Sequence, residues 1–550
     1  MSRFESAIKE RFFVIWSEID PKYREYLIFA ILGLFSAFSF IWPFDSGFEN
    51  RYFYRPTAGL GFGVIFIFSF GAFFERIYRE YTKKSTIVLL LHGFVYWLFY
   101  FMGALYWLVY PLTIDLSLHW MLIPFALIAV PAYLSIPLLL PIYVAKKFCE
   151  NVWISALVFA VLTFSVMYFQ GHYAPGFPWA LPGYVWSRDI FCMQSLSIWG
   201  IYGQTFFTLL MGNLAGVWEV DRQIRSEFSR GENLSEKVLF KRLSEEGLDK
   251  HRFSIIFVIV SLMSLVIFGY VRISGVERFA SHDLSDYTDY KIRCVQGSIL
   301  QKNKMNKNLS DRNLDMYLNL SRMESRYDNW VPDFVIWPEA SIPYLFTDES
   351  VVLRQKLAEV IPNDGYLLTG AVRKDSASGS IYNSVIVLDQ FGRNVANYDK
   401  KHLVPFGEYV PFRRFIPKVF APIANSIGDF DIGKNSNVVA LKGLKIAFAI
   451  CYEAIFPSEF IQEDADVIVN ITNDAWFGHT SELIQHLNIV RARAIEEGIP
   501  LIRVTNFGIS AVFDAYGRKV ESLKTDEIGV IDCYIPKKVE KTLYRKFFVD

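Results

Sequence analysis

Apolar residues fall in long runs before about residue 275 and in short, interrupted runs after it. A hydrocarbon layer about 30 Å thick takes roughly 20 helical residues to cross. Seven stretches approach that length: 26–44, 57–74, 87–110, 120–145, 152–170, 194–218 and 253–271. The second is the weakest, being short and rich in glycine. The fourth holds Pro124, Pro131, Pro137 and Pro141, so it is expected to be kinked, with neighbouring helices or water satisfying the freed carbonyls. Past residue 275, β-rich runs such as "KIRCVQGSI", "DFVIWPEA", "GYLLTGAV", "NSVIVLD", "LKIAFAIC", "ADVIVNIT", "IPLIRVTN" and "GVIDCYI" alternate with helical, charged stretches at 307–325, 349–360 and 481–497. That alternation predicts a mixed α/β domain. The chain therefore divides into a multi-span helical membrane domain over 1–275, an α/β domain over 276–540 and a tail over 541–550.

Composition strengthens the division. Hydrophobic residues make up 52% of the 550 and aromatics 17%, against 20% charged, with the apolar excess in the first half. The connections 1–25, 75–86, 146–151 and 219–252 carry five, four, two and eight lysines and arginines, whereas 45–56, 111–119 and 171–193 carry two, none and one. By the positive-inside rule the N-terminus is cytoplasmic, 219–252 is a cytoplasmic helical loop, and seven crossings put the α/β domain on the far side. The N-terminus lacks the small-residue cleavage site of a removable signal peptide. Net charge is zero, so nothing global points to nucleic acid. The cysteines Cys149, Cys192, Cys294, Cys451 and Cys533 are scattered, with neither disulfide nor metal-site spacing.

Three apolar runs of the α/β domain end in reactive groups. "VIWPEAS" ends at Glu339, "YDKKHLVPFGEYVP" offers Lys400, Lys401 and Glu408, and "AFAICYE" offers Cys451 with Glu453. Cys451 by itself fits a buried packing thiol as well as a nucleophile, since free cysteine is among the most buried residue types. Together the groups suffice for acyl transfer: a carboxylate takes the thiol proton, the thiolate attacks a carbonyl, and a lysine with the backbone N–H after the cysteine holds the oxyanion. Lys400 and Lys401 cannot both face one site in an extended chain. His402, His479 and His486 have no GxSxG elbow to accompany them.

The order Glu–Lys–Cys in "WPEASIP", "YDKKHLVPFGEYVP" and "CYE", followed by "NITNDAWFG" and "QHLNIVRARAIEEGIPLIRVTNFGISA", resembles the nitrilase superfamily of carbon–nitrogen hydrolases. With "FMGALYWLVY" and "APGFPWALPGY" in the first half, nearly the whole chain is similar to the membrane-bound apolipoprotein N-acyltransferase branch. The resemblance implies a nitrilase-like α-β-β-α sandwich facing the periplasm from the bacterial inner membrane. It implies Glu339 as general base, Cys451 as nucleophile, and Lys400, which fits the family's Tyr-x-Lys pattern, as the catalytic lysine. Glu408, Tyr452 and Glu453 would support them; Asn473, Trp476 and Phe477 would lie near the acyl-binding face.

The implied reaction moves an acyl chain from a phospholipid, typically phosphatidylethanolamine, through a Cys451 thioester to the N-terminal amine of a diacylglyceryl-cysteine apolipoprotein, with neither metal nor nucleotide and by a monomer. Met305 stands where the family commonly has a substrate-contacting tryptophan, and "PKKVEKTLYRKFFVD" lacks the family's usual last span. Two other readings share these residues: a membrane-tethered amidase, and a catalytically silent scaffold.

Overall fold

The computed structural model describes residues 19–41, 58–173, 176–229, 250–277, 286–410, 429–457 and 464–549. Helices occupy parts of all seven predicted membrane stretches. Among the described residues five are long and apolar enough to cross a bilayer: Leu60–Arg79, Thr86–Ala104, Trp120–Phe148, Val152–His172 and Arg252–Ser274. The other two of the expected seven stretches differ in form. The first stretch divides after Ser36 into Pro21–Ser36 and Phe38–Ile41, and its end at 42–44 lies outside the described residues. The sixth is a 34-residue helix, Leu196–Ser229, whose apolar text is broken by buried Gln204, Thr208 and Asn213. These serve its neighbours: Thr208 accepts from Trp186 Nε1 at 2.8 Å, and Asn213 Nδ2 donates to the Ala156 carbonyl at 2.9 Å. Of the 219–252 loop, 219–229 continue this helix, and 230–249 lie outside the described residues.

The glycine-rich second stretch forms a full helix, Ala58–Arg79. Its glycines let backbones approach: a Cβ on Gly71 would lie 2.8 Å from the Gly212 carbonyl oxygen, and one on Gly216 would lie 2.5 Å from that of Gly71. Small residues at such crossings are how membrane helices pack closely. The proline-rich fourth stretch is broken as expected, passing through a π turn at Phe125–Ala129 and a 3-10 turn at Pro137–Leu139. Gln170 Nε2 donates to the Leu134 carbonyl there at 2.9 Å, tying the broken stretch to the helix Val152–His172. On the helix Lys250–Glu277, Phe253, Ile256, Phe257, Val260 and Ile267 are exposed, an apolar outer face suited to hydrocarbon.

In the second half two sheets stack face to face. The first is built from β1 (Tyr287–Gln296), β2 (Phe334–Ile336), β3 (Ile342–Phe346), β4 (Tyr366–Lys374), β5 (Ile381–Asp389), β6 (Asn394–Asp399) and β13 (Gly529–Pro536). Its order is β13-β1-β2-β4-β5-β6, with β3 also on β4. The second holds β7 (Val438–Leu441), β8 (Leu444–Ile450), β9 (Val467–Thr472), β10 (Leu501–Thr505), β11 (Ser510–Phe513) and β12 (Lys519–Leu523), in the order β12-β11-β10-β9-β8-β7. Alternation along each strand feeds two cores. Ile292 and Cys294 of β1 meet Ile446, Phe448 and Ile450 of β8 between the sheets. On the outer faces Val295 packs against the helix Ser310–Ser321, and Ala447 and Ala449 pack against the helix Glu482–Glu497. The result is the α-β-β-α sandwich.

The two halves share one core, since Tyr452, Ile455, Phe456, Ile489 and Ile495 pack into the membrane-domain cluster. Polar contacts fix the joint. Gln485, buried on the helix Glu482–Glu497, donates to the carbonyls of Phe40 and Ala104 at 2.8 and 3.1 Å and accepts from Trp107 and Trp179 Nε1 at 3.1 and 2.7 Å. Helix Leu196–Ser229 breaks at Gly200, where φ is +63° and a Cβ would lie 2.4 Å from the Tyr544 ring. Its regular part restarts at Ile201, whose N–H donates to Glu496 at 2.7 Å, placing a carboxylate at a helix N-terminus. Replacing Gln485 with leucine takes a partner from the Trp179 indole N–H and the Phe40 carbonyl, while Trp107 Nε1 and the Ala104 carbonyl keep each other at 3.1 Å, and a stranded buried group costs about 1–3 kcal/mol. Gln485→Leu is therefore expected to lower the thermal unfolding midpoint in detergent well below that of wild type, a loss visible by light scattering or tryptophan fluorescence.

Candidate active site

Three strand ends converge. β2 delivers Glu339 through Trp337, whose N–H stays on the sheet by donating to the Leu368 carbonyl at 2.8 Å. The turn crosses β4 at Gly370, where a Cβ would stand 2.6 Å from Glu339 Cα and from the Pro338 carbonyl oxygen; only glycine allows that crossing. Ala340 follows with φ at +47°. β6 delivers Lys400, whose N–H continues the ladder to the Asn383 carbonyl at 2.9 Å. Asp399, just before it, is gripped by Arg373 through two N–H bonds of 3.0 and 2.8 Å. β8 delivers Cys451 with φ at +50°, a left-handed conformation that costs a non-glycine residue on the order of 1–3 kcal/mol and clusters at functional sites.

Lys400 is buried at 1% exposure. Its ammonium lies 3.0 Å from Glu408 and 3.6 Å from Glu339. Burial pulls this lysine down, but Glu408, Glu339, Cys451 and Glu453 outweigh it and hold its pKa above the ordinary value. Asn383 Nδ2 lies between the carboxylates and donates to Glu339 and Glu408 at 2.8 Å each. Glu408's second oxygen accepts from the Val404 N–H at 2.8 Å. The Cys451 thiol is pushed well up by burial and by the Glu339 charge, opposed by Lys400; the Thr472 hydroxyl hydrogen-bonds the sulfur and favours the thiolate. A thiol so placed stays protonated until a base takes the proton.

Tyr452 and Glu453 hold the turn. Glu453 accepts from the Ile450 N–H at 2.8 Å, the Tyr398 hydroxyl at 2.6 Å and the Lys401 N–H at 2.7 Å. One buried carboxylate thus ties the strand before Cys451 to the segment beside Lys400. Burial raises the pKa of Glu453 even against these donors. Tyr452 donates to the Gly176 carbonyl at 2.9 Å, fixing the turn to the membrane domain.

The expected substrate-facing residues separate. Met305 and Trp476 are exposed. Phe477 packs edge-on against Trp107 with ring centroids 5.0 Å apart. Asn473 is buried, donating to Gln301 at 2.9 Å and accepting from Asn506 at 3.0 Å, so its amide holds a loop and is not free for a ligand. Asp474, Glu482 and His486 lie close enough to share a cation. Arg503 already donates to Asp474 and to Asn470, the latter at 2.8 Å, and its guanidinium fills the cationic role there. Burial raises Asp474, but Arg503 and His486 outweigh it and bring its pKa to about 2.

Sequence reasoning missed Asn383 and Lys304. Asn383 sits at the polar end of a strand that otherwise reads "SVIVLD", and that polarity was the available signal. Lys304 ends the short helix Gln301–Lys304 and donates to the Glu339 carbonyl at 2.8 Å.

Residues 291–543 match the carbon–nitrogen hydrolase family, and residues 52–214 match the apolipoprotein N-acyltransferase N-terminal domain. The apolipoprotein N-acyltransferase of Rickettsia prowazekii is 31% identical over 509 residues, covering 89% of this chain and 93% of that one. That of Bradyrhizobium diazoefficiens is 32% identical over 468 residues, covering 83% and 82%. Among solved structures, a carbon–nitrogen hydrolase superfamily protein from Xanthomonas campestris aligns with a TM-score of 0.32 at 20% identity, over 48% of this chain and 95% of that one. With both halves matched in order and relatives aligned along nearly its full length, the chain belongs to the apolipoprotein N-acyltransferase family.

Proposed function

We propose that the chain N-acylates lipoproteins by a ping-pong reaction through a thioester on Cys451. The observation that carries this reading is the meeting of Glu339, Lys400 and Cys451 at three strand ends, on a turn anchored by Tyr452 to the membrane domain. Glu339 takes the Sγ proton and the sulfur attacks an ester carbonyl of a phospholipid, phosphatidylethanolamine being the donor we favour. Lys400 and the Tyr452 N–H stabilise the oxyanion. Collapse breaks the ester C–O bond, Glu339 returns its proton to the departing lysophospholipid oxygen, and the acyl chain stays on sulfur. The neutral α-amine of a diacylglyceryl-cysteine then attacks the thioester, Glu339 accepts the amine proton, and the N-acyl product leaves with the thiol restored.

Placement of the sandwich on the periplasmic side of the inner membrane rests on the lysine and arginine bias of the connections. Met305 and Trp476, both exposed apolar side chains, are the residues we assign to the lipid-facing mouth. Asn473 we assign to holding the loop that carries Met305, and Phe477 to packing.

Incubation with a phospholipid labelled in one acyl chain is expected to give a hydroxylamine-sensitive adduct on wild-type protein and none on Cys451→Ala. Equal labelling of the two would overturn the thioester. A diacylated lipopeptide with a free amine should then remove the label as N-acyl product, whereas release of fatty acid alone would mark an amidase. Asn383→Leu takes away the shared donor between two carboxylates and leaves Lys400 alone to hold them apart. Adduct formation is expected to slow by about 10-fold or more, as loss of charge-assisted hydrogen bonds implies, with Glu408→Gln relieving part of the defect in the double variant.

A further inference from the structure

The mechanism above uses one lysine, but a second ammonium reaches the same site from the other side. Lys304 projects from the short helix Gln301–Lys304, and its Nζ donates to the Glu339 main-chain carbonyl at 2.8 Å. Its charge is felt by both Glu339 and Cys451. The segment is built to hold it there: Asn506 Nδ2 donates to the Ile299 carbonyl at 2.6 Å, and Asn473 fixes Gln301. Lys400 is balanced by Glu408 and Glu339. Lys304 is instead held by a neutral carbonyl.

We propose that Lys304 is a positioning residue for acylation: it pins the Glu339 turn beside Cys451 and lends the positive charge that stabilises the thiolate once Glu339 has taken the thiol proton. The step is one proton transfer, Sγ–H to the Glu339 carboxylate, which leaves a neutral acid and a thiolate between two ammonium groups. The inference rests on the reading of Cys451 as nucleophile. Burial lowers Lys304 to a pKa of about 8, with Glu339 and Cys451 pulling it up, so the charge is present at neutral pH and is lost above about pH 8. The other charges in reach are Lys400 and Asp474, which act on Cys451, and Glu408 and Glu453, which act on Lys400.

The test is the pH profile of Cys451 alkylation by iodoacetamide in the full-length protein in detergent, followed by peptide mass spectrometry so that the other cysteines are counted separately. Lys304→Gln keeps a donor for the Glu339 carbonyl and removes the charge; Lys304→Arg keeps the charge. At pH 7, where Lys304 is charged, Lys304→Gln is expected to alkylate about 10-fold more slowly than wild type, the gap closing above about pH 8 as wild type loses the same charge, while Lys304→Arg stays near wild type at pH 7. A Lys304→Gln rate unchanged at pH 7, or lowered by the same factor at every pH, or an equal loss at pH 7 in Lys304→Arg, would overturn the electrostatic role and leave the nucleophile standing. A wild-type protein whose Cys451 takes no label would overturn both.

Discussion

A lysine ammonium taken almost wholly out of water must find its counter-charges within the protein, and Lys400 finds two carboxylates at once. Burying an unpaired charge costs several kcal/mol, so the positions of Glu339 and Glu408 are not free to drift. Two carboxylates sharing one cation also repel each other. Asn383 resolves this by placing one amide nitrogen against both, 2.8 Å from each. From that arrangement the rest follows: Gly370 must lack a side chain for the Glu339 turn to cross β4, and Arg373 must hold Asp399 so that β6 ends with Lys400 turned inward.

The membrane half is coupled to this charge cluster through buried hydrogen bonds as well as through packing. Tyr452 reaches the Gly176 carbonyl, Gln485 gathers groups from three membrane-domain segments, and Glu496 caps the restart of a membrane helix at Ile201. Tyr452 follows Cys451 directly, and Gln485 and Glu496 sit on the helix Glu482–Glu497, which packs against the strand that ends at Cys451. A shift of the membrane domain would therefore strand buried polar groups beside Cys451, which makes the two halves a single unit energetically.

The α/β character and the three reactive strand ends were legible because both rest on local text: period-two alternation marks strands, and a charged or thiol residue closing an apolar run is conspicuous; the sandwich arrangement came from the resemblance. β3, β6, β7, β11 and β12 were not singled out because they are short, β6 and β12 being mixed in polarity and β6, β7 and β12 lying at sheet edges, where apolar patterning is weakest. Two of the seven expected spans differ in form because apolar length was read without regard to what the helix faces. Leu196–Ser229 is a central helix that trades hydropathy for buried hydrogen bonds, while the glycines that made 57–74 look weak are what let it pack. Asn383 and Lys304 were hidden for a different reason. Each matters only through a residue distant in sequence, Glu408 at 25 positions and Glu339 at 35, and no spacing rule links them.

A site that gives an acyl group to an amine through the proposed thioester must keep water from it while remaining open to lipid. The groups around Cys451 meet the first demand by being buried and mutually satisfied: Glu453 is saturated by backbone and tyrosine donors, and Asn473 is consumed by Gln301 and Asn506. Few polar atoms are left to order a water against the sulfur. In the proposed reaction the second demand would fall to the exposed apolar side chains Met305, Phe406 and Trp476, carried on segments tied to the site through Lys304, Glu408 and Asn473. In the proposed reaction a lipid chain resting on that rim would replace water with hydrocarbon over the thioester. The preference for aminolysis over hydrolysis would then be a property of the rim, and the bond-making chemistry that of the strand ends beneath it.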